Sequence, residues 1–303
     1  MITVKVPATS ANIGAGFDSC GLALGLHNTV AMAEAEDIYI RTSDGSRVPT
    51  GEHNLVYSTA RQVYELCGRP FKGLELVQSN AIPMARGLGS SSACIAAGIL
   101  GANALLGSPL SDTDVLTLAT KIEGHPDNVA PALLGGFVVS AYDAGRVWSL
   151  KHDIADSVTF AAFVPNFKLL TKKARAALPR TVAHKDAVYN LSRAALLAVA
   201  FCEERYDFLP VATKDCLHQQ YRMPLIPGGQ EICSLARELG ALAAFISGAG
   251  PTILAIVDSA GAAAFFERAA EALPQTEATR AYTLRRLEAD NRGAFVETER
   301  REA

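Results

Sequence analysis

The residues best suited to chemistry in this sequence are Gly87-Leu88-Gly89-Ser90-Ser91-Ser92, which run straight into a stretch of small and apolar residues from Ala93 to Ala102. That stretch predicts a helix buried on most sides and closing near Gly107, with Pro109 just beyond. A glycine-rich turn that empties into a helix start gathers unpaired backbone N–H groups around one point, and the helix dipole adds partial positive charge there. Such a point attracts phosphate, and glycine lets the backbone close on the anion. Serine hydroxyls can complete the coordination of a Mg²⁺ that a bound triphosphate brings. Two common phosphate loops do not fit. A P-loop has Lys where Ser90 stands, and the dinucleotide fingerprint has Gly where Ser92 stands. Without a ligand the same residues would form a tight turn with serine N-caps.

Three other stretches carry more Gly and polar residues than connectors need: Pro7–Asp18, Glu123–Pro131 and Ser247–Pro251. Alone, Ser247-Gly248-Ala249-Gly250 reads equally as a hairpin bend. His125 alone reads equally as a structural residue. By composition Arg175 and Arg222 read as solvated charges. His27, His53, His152, His184 and His218 have no ligand spacing, so no protein-held metal site is expected. No serine has glycine two residues before and two after it, so the hydrolase elbow is absent.

The elements that must position these stretches form two α+β units meeting near residue 150, taken as 1–152 and 153–303. In the first, the alternation of residues 1–6 predicts a strand, and Pro7–Asp18 reads as irregular. Strands are expected at Asn28–Glu34, Asp37–Thr42 and Phe71–Gln78, with a helix over Leu55–Cys67. Ser111 with Asp114 predicts a capped helix to Ile122, followed by a hairpin about Asp143-Ala144-Gly145. In the second unit, strands are expected at Val158–Val164, Ala241–Ile246, Thr252–Val257 and Ala278–Leu284. Helices are expected over Ala187–Glu204, Glu231–Leu239 and Ala262–Ala272. The charged end from Arg285 reads as peripheral, with a short strand available at Ala294-Phe295-Val296.

Composition excludes several classes. Apolar residues at 49% and charged residues at 19% describe a globular protein, and a net charge of −3 gives no footprint for nucleic acid or an anionic membrane. No apolar run reaches transmembrane length, and the N-terminus lacks a signal peptide's hydrophobic block. The six cysteines form no C-x-x-C pair and read as reduced core residues of a cytoplasmic protein.

Pro7–Asp18, the glycine loop and Ser247–Pro251 resemble, in chain order, the three motifs of the GHMP kinase superfamily. Within it the chain is most similar to the homoserine kinase branch, which Pro7–Asp18 and Glu123–Pro131 resemble more specifically. The resemblance covers Val4 to Leu284. It implies an α+β GHMP kinase fold with a ribosomal-S5-like N-terminal domain and a ferredoxin-like C-terminal domain. It implies ATP at Pro83, Arg86, Gly87, Leu88, Gly89, Ser90, Ser91 and Ser92, supported by Gly248 and Gly250, with Mg²⁺ held by Ser91 and Glu123. L-homoserine would be the small-molecule substrate. Asn12 and Asp18 would meet its amino-acid head, with Asp18 countering the ammonium, while Thr171, Arg175 and Arg222 bind the carboxylate.

His125 and Asn128 would face the reacting hydroxyl. The Asp–Lys pair of other branches has no counterpart that can be placed, so a mechanism without a dedicated base is favoured, with Asp127 in reserve. The implied reaction is transfer of the ATP γ-phosphate to homoserine, a step toward threonine. Neither nucleic acid nor membrane is an expected partner, and a homodimer is compatible with this reading. Two alternatives stay open at this point: a GHMP kinase for threonine, shikimate or mevalonate, and a non-catalytic GHMP-like binding protein.

Overall fold

The computed structural model describes residues 1–298. The first strand is longer than its alternating start predicts. Strand β1 (Ile2–Asn12) runs through most of the Pro7–Asp18 stretch, which turns at residues 13–15 and returns as β2 (Gly16–Ala35). The expectation of irregular backbone there is thus corrected. From Val6 to Asn12 the strand is buried on both faces, so small residues replace the alternating signature. Pro7, which cannot donate to a ladder, falls at a shift of register.

Strand β3 (Tyr39–Thr42), helix α1 (Leu55–Leu66), β4 (Gly73–Asn80) and α2 (Ser90–Leu105) follow. Helix α3 (Asp112–Glu123) starts at the expected Ser111–Asp114 capping box. Helix α4 (Pro126–Leu134) occupies the second polar stretch, and β5 (Phe137–Asp143) and β6 (Arg146–His152) make the expected hairpin.

In the second half, β7 (Val158–Pro165) leads to α5 (Thr171–Ala176), α6 (His184–Cys202) and the short α7 (Leu209–Ala212) and α8 (Gln219–Arg222). Then come α9 (Gly229–Glu238), β8 (Ala243–Ile246), β9 (Ile253–Asp258), α10 (Ala262–Ala272) and β10 (Tyr282–Leu287). The antiparallel order β10-β7-β9-β8, with helices between β7 and β8 and between β9 and β10, is the ferredoxin-like β-α-β-β-α-β arrangement.

The charged end is not peripheral. Strand β11 (Phe295–Thr298) pairs antiparallel with β1, so the chain's last described strand completes the first sheet, ordered β11-β1-β2-β4-β3 with β5 and β6 branching from β2.

One hydrophobic cluster spans both halves. It joins Val4, Leu22 and Ile95 to Phe160, Phe245 and Leu254 on one face of the second sheet. Phe137 of β5 stacks on Phe201 of α6 at 4.2 Å between centroids. The other face of that sheet has its own cluster with Phe163 and Phe265. A cleft between the halves therefore rests on continuous packed core. No helix among the described residues is long and apolar enough to cross a membrane. The six cysteines are free thiols; Cys20 and Cys233 are buried, whereas Cys202 is exposed rather than in the core.

Candidate active site

Gly89 is the N-cap of α2, with left-handed backbone (φ 71°), no side-chain cap and no acid in the first turn. A Cβ there would collide with Thr9 Oγ1, so glycine satisfies both the torsion and the close approach. This corrects the reading of serine N-caps. Ser90, Ser91 and Ser92 form the first helical turn, where N–H groups have no intrahelical acceptor. With Gly87 and Gly89 they line a cleft of about 620 Å³.

The β8–β9 hairpin tip docks on this loop from the second half. Ser247 Oγ donates to the Gly87 carbonyl at 2.6 Å, and the Thr252 N–H donates to the Arg86 carbonyl at 3.2 Å. Gly248 N–H donates to the Ala11 carbonyl at 3.0 Å. Its own carbonyl accepts from Asn12 Nδ2 at 2.8 Å and Arg222 Nη1 at 3.1 Å. Of the residues expected at the nucleotide, Arg86 and Gly248 also line the cleft, whereas Pro83, Leu88 and Gly250 do not. Leu88 is buried in the core because its loop lies flat on β1, where its carbonyl accepts from Thr9 N–H at 3.2 Å. Arg86 donates to the carbonyls of Pro165 (2.9 Å) and Asn166 (3.0 Å), clamping the loop to the end of β7.

The Glu123–Pro131 stretch looked polar because it is a helix boundary. Gly124 ends α3 in the left-handed region (φ 97°), His125 is the N-cap of α4, and Pro126 follows at the start of α4. Glu123 is the last residue of α3, where the dipole disfavours a carboxylate. It accepts from Ser91 Oγ at 3.2 Å and Ser92 Oγ at 3.0 Å. Asp127, 2% exposed, is hydrogen-bonded to His125 Nδ1. Asn128 Oδ1 accepts from Thr9 Oγ1 at 2.8 Å. Burial pulls the His125 pKa down, but the bond to Asp127 and the charges of Asp127, Asp18 and Glu123 raise it overall. Asp18, His125 and Asp127 bring ligand atoms within 4.8 Å of one another, a grouping that chain spacing could not reveal. All three already have partners: His125 and Asp127 bond each other, and Asp18 pairs with Arg175.

At the other end of the cleft, Arg175 Nη1 and Nη2 grip Asp18 Oδ2 and Oδ1 at 3.0 and 2.8 Å. Asn12 uses both ends of its amide on structure, since its Oδ1 accepts from the Asp18 N–H at 3.0 Å. Thr171, the first residue of α5, lines the cleft beside them. Arg222 is 1% exposed, so the reading of a solvated charge does not apply to it. Its Nε has no hydrogen-bond partner among the described residues, and burial lowers its pKa, with Arg175 adding to the effect.

Two residues outside the expected set, His218 and Phe17, support the arginines of the site. The Phe17 ring stacks on His218 at 5.2 Å and carries the Arg222 and Arg175 guanidinium carbons at 5.2 and 5.7 Å. Burial lowers the His218 pKa. The neutral ring donates from Nε2 to the Gly14 carbonyl at 2.9 Å and accepts from Arg222 at Nδ1. The four-residue spacing of His218 and Arg222 was the signal available for this pair.

Comparisons with known proteins agree with one another. The family model for the GHMP kinases N terminal domain matches residues 54–136, and that for the GHMP kinases C terminal domain matches residues 198–275. The chain is 45% identical to a homoserine kinase of Caldicellulosiruptor saccharolyticus over 98% of its length and 96% of that protein. It is 47% identical to one of Clostridium beijerinckii over 85% of its length and 87% of that protein. A solved structure of a putative homoserine kinase from Listeria monocytogenes superposes with a TM-score of 0.83 at 35% identity, covering 99% of this chain and all of the other. With a cleft built from the same loop, helix ends and hairpin that the motifs mark, this chain belongs to the GHMP kinases, in their homoserine kinase family.

Proposed function

We propose that the chain is an ATP:L-homoserine phosphotransferase. One observation carries the reading: Asn12, Asp18, His125, Asn128, Thr171, Arg175 and Arg222, scattered over 211 positions, line one cleft together with the glycine loop. The chemistry follows from what faces what. The free N–H groups of the α2 N-terminus suit the negative oxygens of a triphosphate. Ser91 and Glu123 are neighbouring hard oxygen donors at that mouth, with the carboxylate held at an unfavourable helix end, a donor set that fits Mg²⁺. These two residues would hold the ion, which when bound neutralises charge on the phosphate oxygens.

Homoserine presents one ammonium and one carboxylate. Asp18 suits the first, and the planar forks of Arg175 and Arg222 suit the second. Entry exchanges the resident Asp18–Arg175 pair for two pairs with the ligand, so a molecule carrying both charges is favoured over one carrying either. The substrate oxygen attacks the γ-phosphorus, the bond to the β–γ bridging oxygen breaks, and ADP leaves. The hydroxyl proton passes to a phosphoryl oxygen as it transfers, with no protein base. Asp127 is buried and engaged by His125, which supports a role in orienting the imidazole. Positioning and charge neutralisation carry the barrier reduction.

A coupled ADP-release assay over L-homoserine, L-threonine, shikimate and mevalonate tests this. Homoserine should lead by at least an order of magnitude in kcat/KM; a lead for shikimate or mevalonate overturns the reading.

A further inference from the structure

Thr9 is fully buried on β1, in the part of the strand covered on both faces, and neighbouring side chains there leave in opposite directions. Ser10 turns to the β8–β9 tip, its Oγ 2.8 Å from that of Ser247. Thr9 turns instead to the starts of α2 and α4. Its N–H donates to the Leu88 carbonyl at 3.2 Å, and its Oγ1 packs where a Cβ on Gly89 would stand. The same Oγ1 donates its proton to Asn128 Oδ1 at 2.8 Å, across 119 positions of sequence. One buried side chain thus touches both the glycine loop and a residue expected at the reacting hydroxyl.

Two contacts decide which way round the Asn128 amide stands. Oδ1 takes the Thr9 proton, and Nδ2 stands 3.5 Å from Asp127 Oδ1. A hydroxyl could serve either end of an amide, so Asp127 makes the choice: a reversed amide would set its oxygen against the carboxylate. Thr9 then holds the chosen orientation, because Asn128 Oδ1 has no other hydrogen-bond partner among the described residues. Nδ2 keeps a proton for the cleft that Asn128 lines. An N–H there meets a lone pair of the substrate hydroxyl and leaves that hydroxyl's own proton free for a phosphoryl oxygen. A carbonyl there would hold the proton back.

Given the homoserine phosphotransferase reading, on which this rests, we propose that Thr9 is a positioning residue. Its hydroxyl locks the Asn128 amide with N–H toward the substrate oxygen and fixes that group relative to the glycine loop. Thr9→Ala and Thr9→Ser differ by that one oxygen, and both keep the backbone bond to Leu88. With L-homoserine, Thr9→Ala should lower kcat about five- to tenfold, the effect of one neutral hydrogen bond, with KM for homoserine and for ATP each within about twofold of wild type. Thr9→Ser should restore kcat to within about twofold of wild type. A packing role would lower both variants alike, since both lack the threonine methyl. In an Asn128→Ala background, Thr9→Ala should change the remaining kcat less than about twofold, because the group it orients is gone. Equal kcat for Thr9→Ala and Thr9→Ser, or a full further loss in the Asn128→Ala background, overturns the role of Thr9 while the homoserine kinase reading stands. A wild type that releases no ADP with homoserine overturns that reading, and the role of Thr9 with it.

Discussion

Replacing Asp18 by Asn removes a charge that the free cleft and the proposed substrate use in turn. In the free site Asp18 holds Arg175 through two bonds of 2.8 and 3.0 Å. Their side chains are 33% and 43% exposed, so screening limits that pair to about 0.5–1 kcal/mol. A charge-assisted bond to the ligand ammonium contributes about 1.5–3 kcal/mol. Net of the resident pair it no longer has to break, Asp18→Asn should therefore lower kcat/KM for homoserine by about 0.5–2.5 kcal/mol, or about two- to sixty-fold. 4-Hydroxybutyrate, which lacks the ammonium, should move the other way. The variant has no resident pair to break, so its kcat/KM should rise about two- to five-fold. ADP release measured with both alcohols, alongside an ATP titration, reads all three quantities. Equal losses for homoserine and ATP, or a loss for 4-hydroxybutyrate, refute the exchange of pairs.

Glu123→Gln should lower kcat at least about a hundredfold at saturating Mg²⁺, with the thermal transition little changed; wild-type kcat would remove Glu123 from the metal role. Arg222→Lys keeps the charge but loses the fork that reaches the Gly248 carbonyl and His218, so kcat/KM for homoserine should drop about ten- to a hundred-fold while KM for ATP stays nearly flat. Combined with Arg175→Lys the losses should be less than additive, because both guanidinium groups act on one carboxylate. The raised pKa of His125 makes its charged form a stabilising partner of Asp127. That contribution is complete below the ordinary value of 6.5 and fades as pH rises through the raised one. His125→Asn should thus lower Tm more at pH 6 than at pH 8.5, and the reverse order would contradict the sign.

Local physics made much of the frame readable. The Ser111–Asp114 box fixed the start of α3, and the small apolar run after Ser92 fixed α2. The four glycine-rich or polar stretches do converge, because each is a turn or helix end aimed at one cleft. What stayed hidden depends on distant contacts. Pro7–Asn12 is strand because layers cover both of its faces, which alternation cannot report. Strand β11 pairs with β1 from the far end of the chain, a register set by tertiary packing rather than by the Phe295–Thr298 residues alone. Arg222 looked like a surface charge because its partners, His218 and the Gly248 carbonyl, meet it only once α8 folds against the β8–β9 tip. The Asp18–Arg175 pair joins residues 157 positions apart.

On the proposed function, this cleft moves a phosphoryl group from ATP onto the side-chain oxygen of homoserine. Phosphorus-31 NMR of the purified chain with MgATP and L-homoserine tests it most directly. A phosphomonoester resonance should grow in step with ADP, couple to the γ-methylene protons of homoserine, and be absent when homoserine is omitted. ADP accompanied only by inorganic phosphate, at the same rate with and without homoserine, would contradict it.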